Sequence, residues 1–191
     1  MIGLAASPRR GGNSETVLDW FLEGTEQEGA QVAKISLSQL DVSPCLGCHR
    51  CLDTGECILQ DDYQVVRDRL IRADIVAFAS PAYFWNVPSQ AKAFIDRHQS
   101  LWAWQALAGP AASKASSQQA RRGVLLAVAA DPVPQFDGLI QTVDALFRAY
   151  GIPLSDKHLI TDAFVKDALR DRQAIREAAL ESGRAAVTNL S

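Results

Sequence analysis

Four cysteines fall within thirteen residues, Cys45, Cys48, Cys51 and Cys57, spaced Cys-x2-Cys-x2-Cys-x5-Cys. Thiolates this dense can hold a redox metal centre. A second chemical patch lies at the N-terminus: Ser7-Pro8-Arg9-Arg10-Gly11-Gly12-Asn13-Ser14. Its glycines let backbone approach closely, and a helix beginning there would aim free N–H groups and a positive dipole end at an anion. Arg9 can add a charge-assisted bond, and the hydroxyls of Ser7 and Ser14 neutral ones. Together the two patches suggest electrons passing between a phosphate-bearing cofactor and something held by sulfur.

On spacing alone, three thiolates two residues apart can wrap one face of a cluster, as in ferredoxin-type loops, and the gap containing Gly55 lets Cys57 close the set. Ile58, not proline, follows the last cysteine. Zinc, which in four-cysteine sites usually sits between two separated pairs, free or oxidisable thiols, and a disulfide stay open as alternatives. His49 between the cysteines reads as an exposed or supporting residue. His98 and His158 stand alone, and Asp131 and Asp137 flank Pro132 and Pro134 as a turn. No catalytic triad or metal-hydrolase motif is visible. The N-terminal loop fits neither the Gly-Lys-Ser/Thr phosphate loop nor Gly-x-Gly-x-x-Gly, which disfavours ATP and a Rossmann-bound dinucleotide.

The elements that must position these groups alternate. Ile2 to Ala6, Gln31 to Leu37, Ile75 to Ala79, Val124 to Ala129 and Ile152 to Ile160 read as strands. Ile75-Val76-Ala77-Phe78-Ala79 is apolar throughout, as in a parallel strand covered on both faces. Helical faces are traced by Val17, Leu18, Phe21 and Leu22, with Gly29 closing the helix, and by Val65, Val66, Leu70 and Ile71 after Asp61-Asp62. Further ones run through Ser89 to Arg97, through Leu139, Ile140, Val143, Leu146, Phe147 and Tyr150, and over Lys166 to Arg184. Ala108 to Gln119 is rich in Ala and Ser with little periodicity, and residues 41–58 read as a cysteine-rich loop. The pattern predicts one domain, 1–191, an α/β doubly wound five-stranded parallel sheet with helices on both faces. The loops after Ala6, Ala79 and Ala129 should then converge at the C-terminal strand edge, where such sheets bind ligands.

A net charge of −3 and a pI near 5.6 give no basic field, so neither nucleic acid nor an anionic membrane surface is an expected partner. No run approaches a ~20-residue membrane span. The apolar start is too short for a signal segment, so a cytoplasmic location is expected, where clustered cysteines favour metal or redox chemistry.

The run Ala6-Ser7-Pro8-Arg9-Arg10-Gly11-Gly12-Asn13-Ser14-Glu15-Thr16 closely resembles the FMN-phosphate loop of the flavodoxin-like NADPH-dependent FMN reductase and iron–sulfur flavoprotein families. Pro44-Cys45-Leu46-Gly47-Cys48 through Cys57 with Asp61-Asp62, and Ser80-Pro81-Ala82-Tyr83-Phe84 followed by Lys92-Ala93-Phe94-Ile95-Asp96-Arg97, are similar to segments of the same group. The resemblance covers about the first hundred residues. Ala129 to Phe136 has no glycine-rich third loop.

The resemblance implies that Ser7, Arg9, Asn13, Ser14, Glu15 and Thr16 surround the FMN phosphate. It implies that Pro81, Ala82, Tyr83, Phe84, Trp85 and Asn86 lie along the isoalloxazine. It also implies that Cys45, Cys48, Cys51 and Cys57 hold a [4Fe–4S] cluster, and that the chain forms a homodimer or homotetramer with flavin near an interface. Trp102 and Trp104 are candidates for burial there.

The expected function is an FMN-dependent oxidoreductase coupling FMN to the cluster, with a small molecule or a protein as electron donor and acceptor. The cofactors carry the chemistry, so no catalytic side chain is assigned. The alternatives are an NAD(P)H-dependent FMN or quinone reductase without a cluster, with the nicotinamide a transient donor, and an electron carrier without small-molecule turnover.

Overall fold

The computed structural model describes residues 1–108 and 120–190. Most of the alanine- and serine-rich stretch from Ala108 to Gln119 lies outside them. Five strands, β1 (Ile2–Ala5), β2 (Ala33–Ser36), β3 (Ile75–Pro81), β4 (Arg122–Val128) and β5 (Leu154–Ile160), pair in the order β2-β1-β3-β4-β5, all parallel. This is the flavodoxin-like order, and it reverses direction between β1 and β3. The helices are α1 (Asn13–Gln27), α2 (Cys51–Thr54), α3 (Asp62–Ile71), α4 (Ser89–Asp96), α5 (Gln99–Ala108), α6 (Asp137–Ala149) and α7 (Gln173–Thr188), with a 3-10 turn at Leu37–Gln39.

Strands β3 and β4 are buried almost end to end, which is why their sequences are continuously apolar. Two cores lie on opposite faces of the sheet. One gathers Leu4, Phe78, Leu125, Leu139 and Phe147 beneath α3, α4 and α6; the other gathers Leu18, Phe21, Ala77 and Leu126 beneath α1 and α7. Burying a side chain such as Phe78 stabilises the fold by about 1.5–3 kcal/mol. Helices α1 and α7 touch backbone to backbone: a methyl group on Gly24 would sit 2.1 Å from the Leu180 carbonyl oxygen, and one on Gly183 would sit 2.2 Å from that of Phe21.

Three expectations are corrected. The last helix starts at Gln173, not Lys166. Asp162 and Asp167 adopt left-handed backbone, and Arg172 donates to the Thr161 and Asp162 carbonyls, so 161–172 is a folded loop. In α3 the buried stripe is Tyr63, Val66 and Leu70, which leaves Val65 and Ile71 outward. Finally, the cysteine segment is not loop throughout, because α2 forms one turn inside it.

Candidate functional site

At the C-terminal end of β1 the Ala6 N–H still reaches the Ala79 carbonyl at 2.8 Å, and the chain then leaves the sheet. Ser7 Oγ accepts from the Arg9 N–H at 3.1 Å and so folds the loop back on itself. Gly11 takes φ +59°, a conformation that favours glycine. Gly12 caps α1 without a side-chain bond, so the first-turn N–H groups of Asn13, Ser14 and Glu15 find no acceptor among the described residues. A helix N-terminus of this kind can receive an anion, and the exposed Arg9 lies in the same turn.

The named residues divide by role. The Glu15 carboxylate accepts from the Gly11 N–H at 2.7 Å and pairs with Lys34 at 3.0 Å. Burial would raise its pKa, but these bonds outweigh burial and hold it below the usual carboxylate range. Glu15 therefore braces the loop with its carboxylate, which leaves its N–H as the group free to face a ligand. Thr16 Oγ1 is directed to the Gly12 carbonyl at 3.3 Å. Asn13 Nδ2 donates to the Ala163 and Val165 carbonyls at 3.0 and 2.8 Å, tying the loop after β5 over the turn. Its Oδ1 is buried with no donor among the described residues. The same loop brings Lys166 Nζ within 3.9 Å of where a Cβ on Gly11 would stand. Sequence reasoning missed Lys166, because only the tertiary tie through Asn13 places it here.

After β3 the chain makes a tight hairpin. Tyr83 and Asn86 exchange backbone bonds at 2.8 and 3.0 Å around Phe84 (φ 47°) and Trp85 (φ 64°). Two left-handed residues in a two-residue turn are usually Asn and Gly. Bulky aromatics there are strained by about 1–3 kcal/mol each, and such strain clusters at ligand sites. Phe84 is fully exposed. The Ala82 N–H is engaged by the Val128 carbonyl, and the Val87 N–H by Asn86 Oδ1, so the donors left at the tip are the N–H groups of Phe84 and Trp85. Gly138 sits under the hairpin, where a Cβ would come 3.0 Å from the Trp85 carbonyl oxygen. The loop after β4 also reaches this edge. Asp131 closes a local turn onto the Val133 N–H at 2.8 Å, and Asp137 begins α6, so the two form no carboxylate pair.

The cysteines lie beyond β2, on the same side of the sheet ends. All four are free thiols, and all four line one cavity of about 180 Å³ with Arg97, Gln99 and Ser100. Burial first, and then the neighbouring Cys57, Cys45 and Cys48, push the Cys51 thiol up. That mutual influence is what convergent thiols produce. Among the described residues no group of three is gathered tightly enough to hold a single metal ion. His49, exposed at φ 60°, turns the chain between two of the cysteines. Gly55 takes φ 76° and packs under Trp104, where a Cβ would come 3.0 Å from its side chain. Trp102 and Trp104 lie on α5 and stay largely exposed in the single chain.

Arg97, at the junction of α4 and α5, anchors this loop. Its guanidinium is buried; Nη1 donates to the Ser43 carbonyl at 2.9 Å and to Asp61 at 2.6 Å, and Nη2 donates to the Leu59 carbonyl at 3.1 Å. Burial would lower its pKa, but Asp61 and then Cys57 raise it.

The family model for NADPH-dependent FMN reductases matches residues 1–136. The chain belongs to that family. Among relatives of this FMN reductase family member, an iron–sulfur flavoprotein of Archaeoglobus fulgidus is 40% identical over 96 residues, 50% of this chain and 44% of that protein. A putative NAD(P)H-dependent FMN-containing oxidoreductase of Bacillus subtilis is 28% identical over 174 residues, 89% of each chain. The match spans about half the length of the iron–sulfur flavoproteins. Among solved structures, an FMN-dependent NADH-azoreductase of Bacillus anthracis in complex with FMN superposes with a TM-score of 0.63 at 16% identity, covering 97% of this chain and 98% of that one, a likeness of fold. Among the described residues no helix is long and apolar enough to cross a membrane.

Proposed function

We propose that the chain is a flavin-dependent oxidoreductase that binds FMN at the β1/β3 switch point and holds a [4Fe–4S] cluster on Cys45, Cys48, Cys51 and Cys57. The observation that carries the reading is the convergence of the four thiols on one cavity, in a chain whose glycine turn leaves helix N–H groups free for a phosphate. When bound, FMN exchanges electrons singly or in pairs and a cluster exchanges them one at a time, so the two together join two-electron donors to one-electron acceptors.

The chain's own contribution is binding and tuning. Ser7, Ser14 and the N–H groups of Asn13 to Glu15 hold the phosphate, Arg9 and Lys166 balance its charge, and Asn13 Oδ1 accepts from a hydroxyl of the cofactor. Pro81 and Ala82 fix the root of the hairpin, Tyr83 and Asn86 clamp it, and Phe84 and Trp85 supply apolar cover and two N–H donors to the ring edge. The electron donor and acceptor are small molecules or proteins, and the exposed aromatics at this edge suit a homodimer or homotetramer.

A second reading keeps FMN without a cluster, as an NAD(P)H-dependent reductase of FMN or quinones. It is favoured by the Bacillus subtilis relative, which matches over 89% of the chain. The experiment that separates them compares the purified protein with Cys48→Ala. The first reading requires that Cys48→Ala retain FMN and NAD(P)H-driven quinone reduction while losing transfer to a one-electron acceptor such as cytochrome c. Retention of both activities would favour the second, and loss of both with FMN still bound would overturn the first.

A further inference from the structure

The four thiols and one buried cation share a cavity. Arg97 is 1% exposed and lines the same space as Cys45, Cys48, Cys51 and Cys57. Its bonds bracket the cysteine loop, with Ser43 ahead of Cys45 and Leu59 behind Cys57, and Asp61 completes the clamp. Tyr63 covers one face of the guanidinium, its ring centroid 4.9 Å from Cζ. One donor is left over: Arg97 Nε–H is buried and has no partner among the described residues. An orphaned donor on a buried cation is costly unless something accepts from it. The acceptors a four-thiol cavity can supply are sulfurs, and Cys45, Cys48, Cys51 and Cys57 all line the space that Arg97 lines.

We infer that Arg97 is a positioning residue for the sulfur-held centre, fixing both ends of the cysteine loop, giving its Nε–H to a sulfur of that cavity, and raising the centre's reduction potential. The inference rests on the cluster reading above. Four thiolates give such a centre net negative charge, and reduction adds one electron, with no proton or leaving group involved. A buried positive charge and a hydrogen bond to sulfur both favour the reduced form. Asp61 opposes this, because its carboxylate sits 2.6 Å from Nη1 and cancels part of the charge. Arg97 and Asp61 therefore act on the potential with opposite signs.

The test is an anaerobic redox titration with dithionite, followed by the cluster's EPR signal. It uses wild type, Arg97→Gln and Asp61→Asn, each reconstituted with ferrous iron and sulfide and assayed for iron, sulfide and FMN. Arg97→Gln should lower the midpoint by about 59 mV or more, a tenfold change in a one-electron equilibrium. Asp61→Asn, which keeps the helix cap that Asp61 provides, should raise it. Loosening of the loop alone would admit water in both variants and move both midpoints the same way, so shifts of one sign, or none, would overturn the inference. If Arg97→Gln does not fold, Arg97→Lys, which keeps the charge but loses the Nε–H, takes its place: a lowered midpoint opposite to the Asp61→Asn rise supports the inference, and shifts of one sign, or none, overturn it. Wild type that takes up no iron would overturn the cluster reading and this inference with it, whereas a loaded wild type with unmoved variants would overturn only the inference.

Discussion

His98 Nε2 accepts a hydrogen bond from the Tyr150 hydroxyl at 2.6 Å, across the interior from the turn between α4 and α5 to the end of α6. The direction follows from the other ring nitrogen: Nδ1 faces the Phe94 carbonyl at 3.0 Å and must donate to it. The imidazole is therefore neutral, packed edge-on among Tyr63, Phe94 and Tyr150. Burial pushes its pKa down to about 4.

Acid should therefore weaken the fold through this residue. Above pH ~7.5 the imidazole is neutral in both states and contributes almost no slope. Between there and pH 4 the unfolded chain takes up a proton that the folded chain refuses, so stability falls as pH falls, by about 3 kcal/mol in all. Urea unfolding of His98→Gln at pH 7.5 and 4.5 should show a lower starting stability but an acid loss about 2 kcal/mol smaller than wild type. An equal acid loss in both proteins would contradict the assignment.

FMN affinity should depend on cations from both ends of the chain. Arg9→Ala should weaken binding by roughly ten- to a hundredfold, the worth of a charge-assisted bond of about 1.5–3 kcal/mol. Lys166→Ala should weaken it by roughly tenfold, although Lys166 belongs to the loop after β5. Flavin fluorescence titration measures both, and unchanged affinity in either variant removes that side chain from the site.

The aromatic hairpin should trade stability for ligand cover. Replacing Phe84-Trp85 with Asn-Gly relieves two left-handed aromatics and should raise the unfolding free energy by about 1–2 kcal/mol. Bound FMN in wild type should be strongly quenched by ring contact and should brighten in the double variant. Bright flavin in wild type would mean that these rings do not touch it.

The strands were legible because their burial is written locally. Ile75 to Ala79 has no polar residue, and a strand covered on both faces follows from that alone. The phosphate turn and the aromatic hairpin were legible because each follows such a strand. Arg97 was visible only as the end of a familiar run, since a lone arginine is normally exposed and nothing nearby in sequence says that Ser43, Leu59 and Asp61 will surround it. Lys166 to Arg172 reads as helix in the sequence because Ala168 and Leu169 continue an apolar pattern, while the ties that fold this loop, from Asn13 and Arg172, are tertiary. The thiols' spacing was plain, but not their convergence on one cavity.

The contact of α1 with α7 supplies a stability prediction. Gly→Ala inside a helix normally gains up to about 1 kcal/mol. Gly24→Ala and Gly183→Ala should instead each cost about 1–3 kcal/mol, because the added methyl meets a carbonyl oxygen at 2.1 or 2.2 Å and the helices must part. Thermal melts decide it, and a raised midpoint in either variant would contradict the close packing.

The most direct measurement on the whole account is the iron, sulfide and FMN content of protein prepared without oxygen and supplied with ferrous iron and sulfide. The account predicts about four iron and four sulfide per chain beside one bound FMN, with broad absorbance beyond the flavin bands. It also predicts loss of the iron but not of the FMN in Cys48→Ala. A stoichiometric flavoprotein that takes up no iron under these conditions would contradict it.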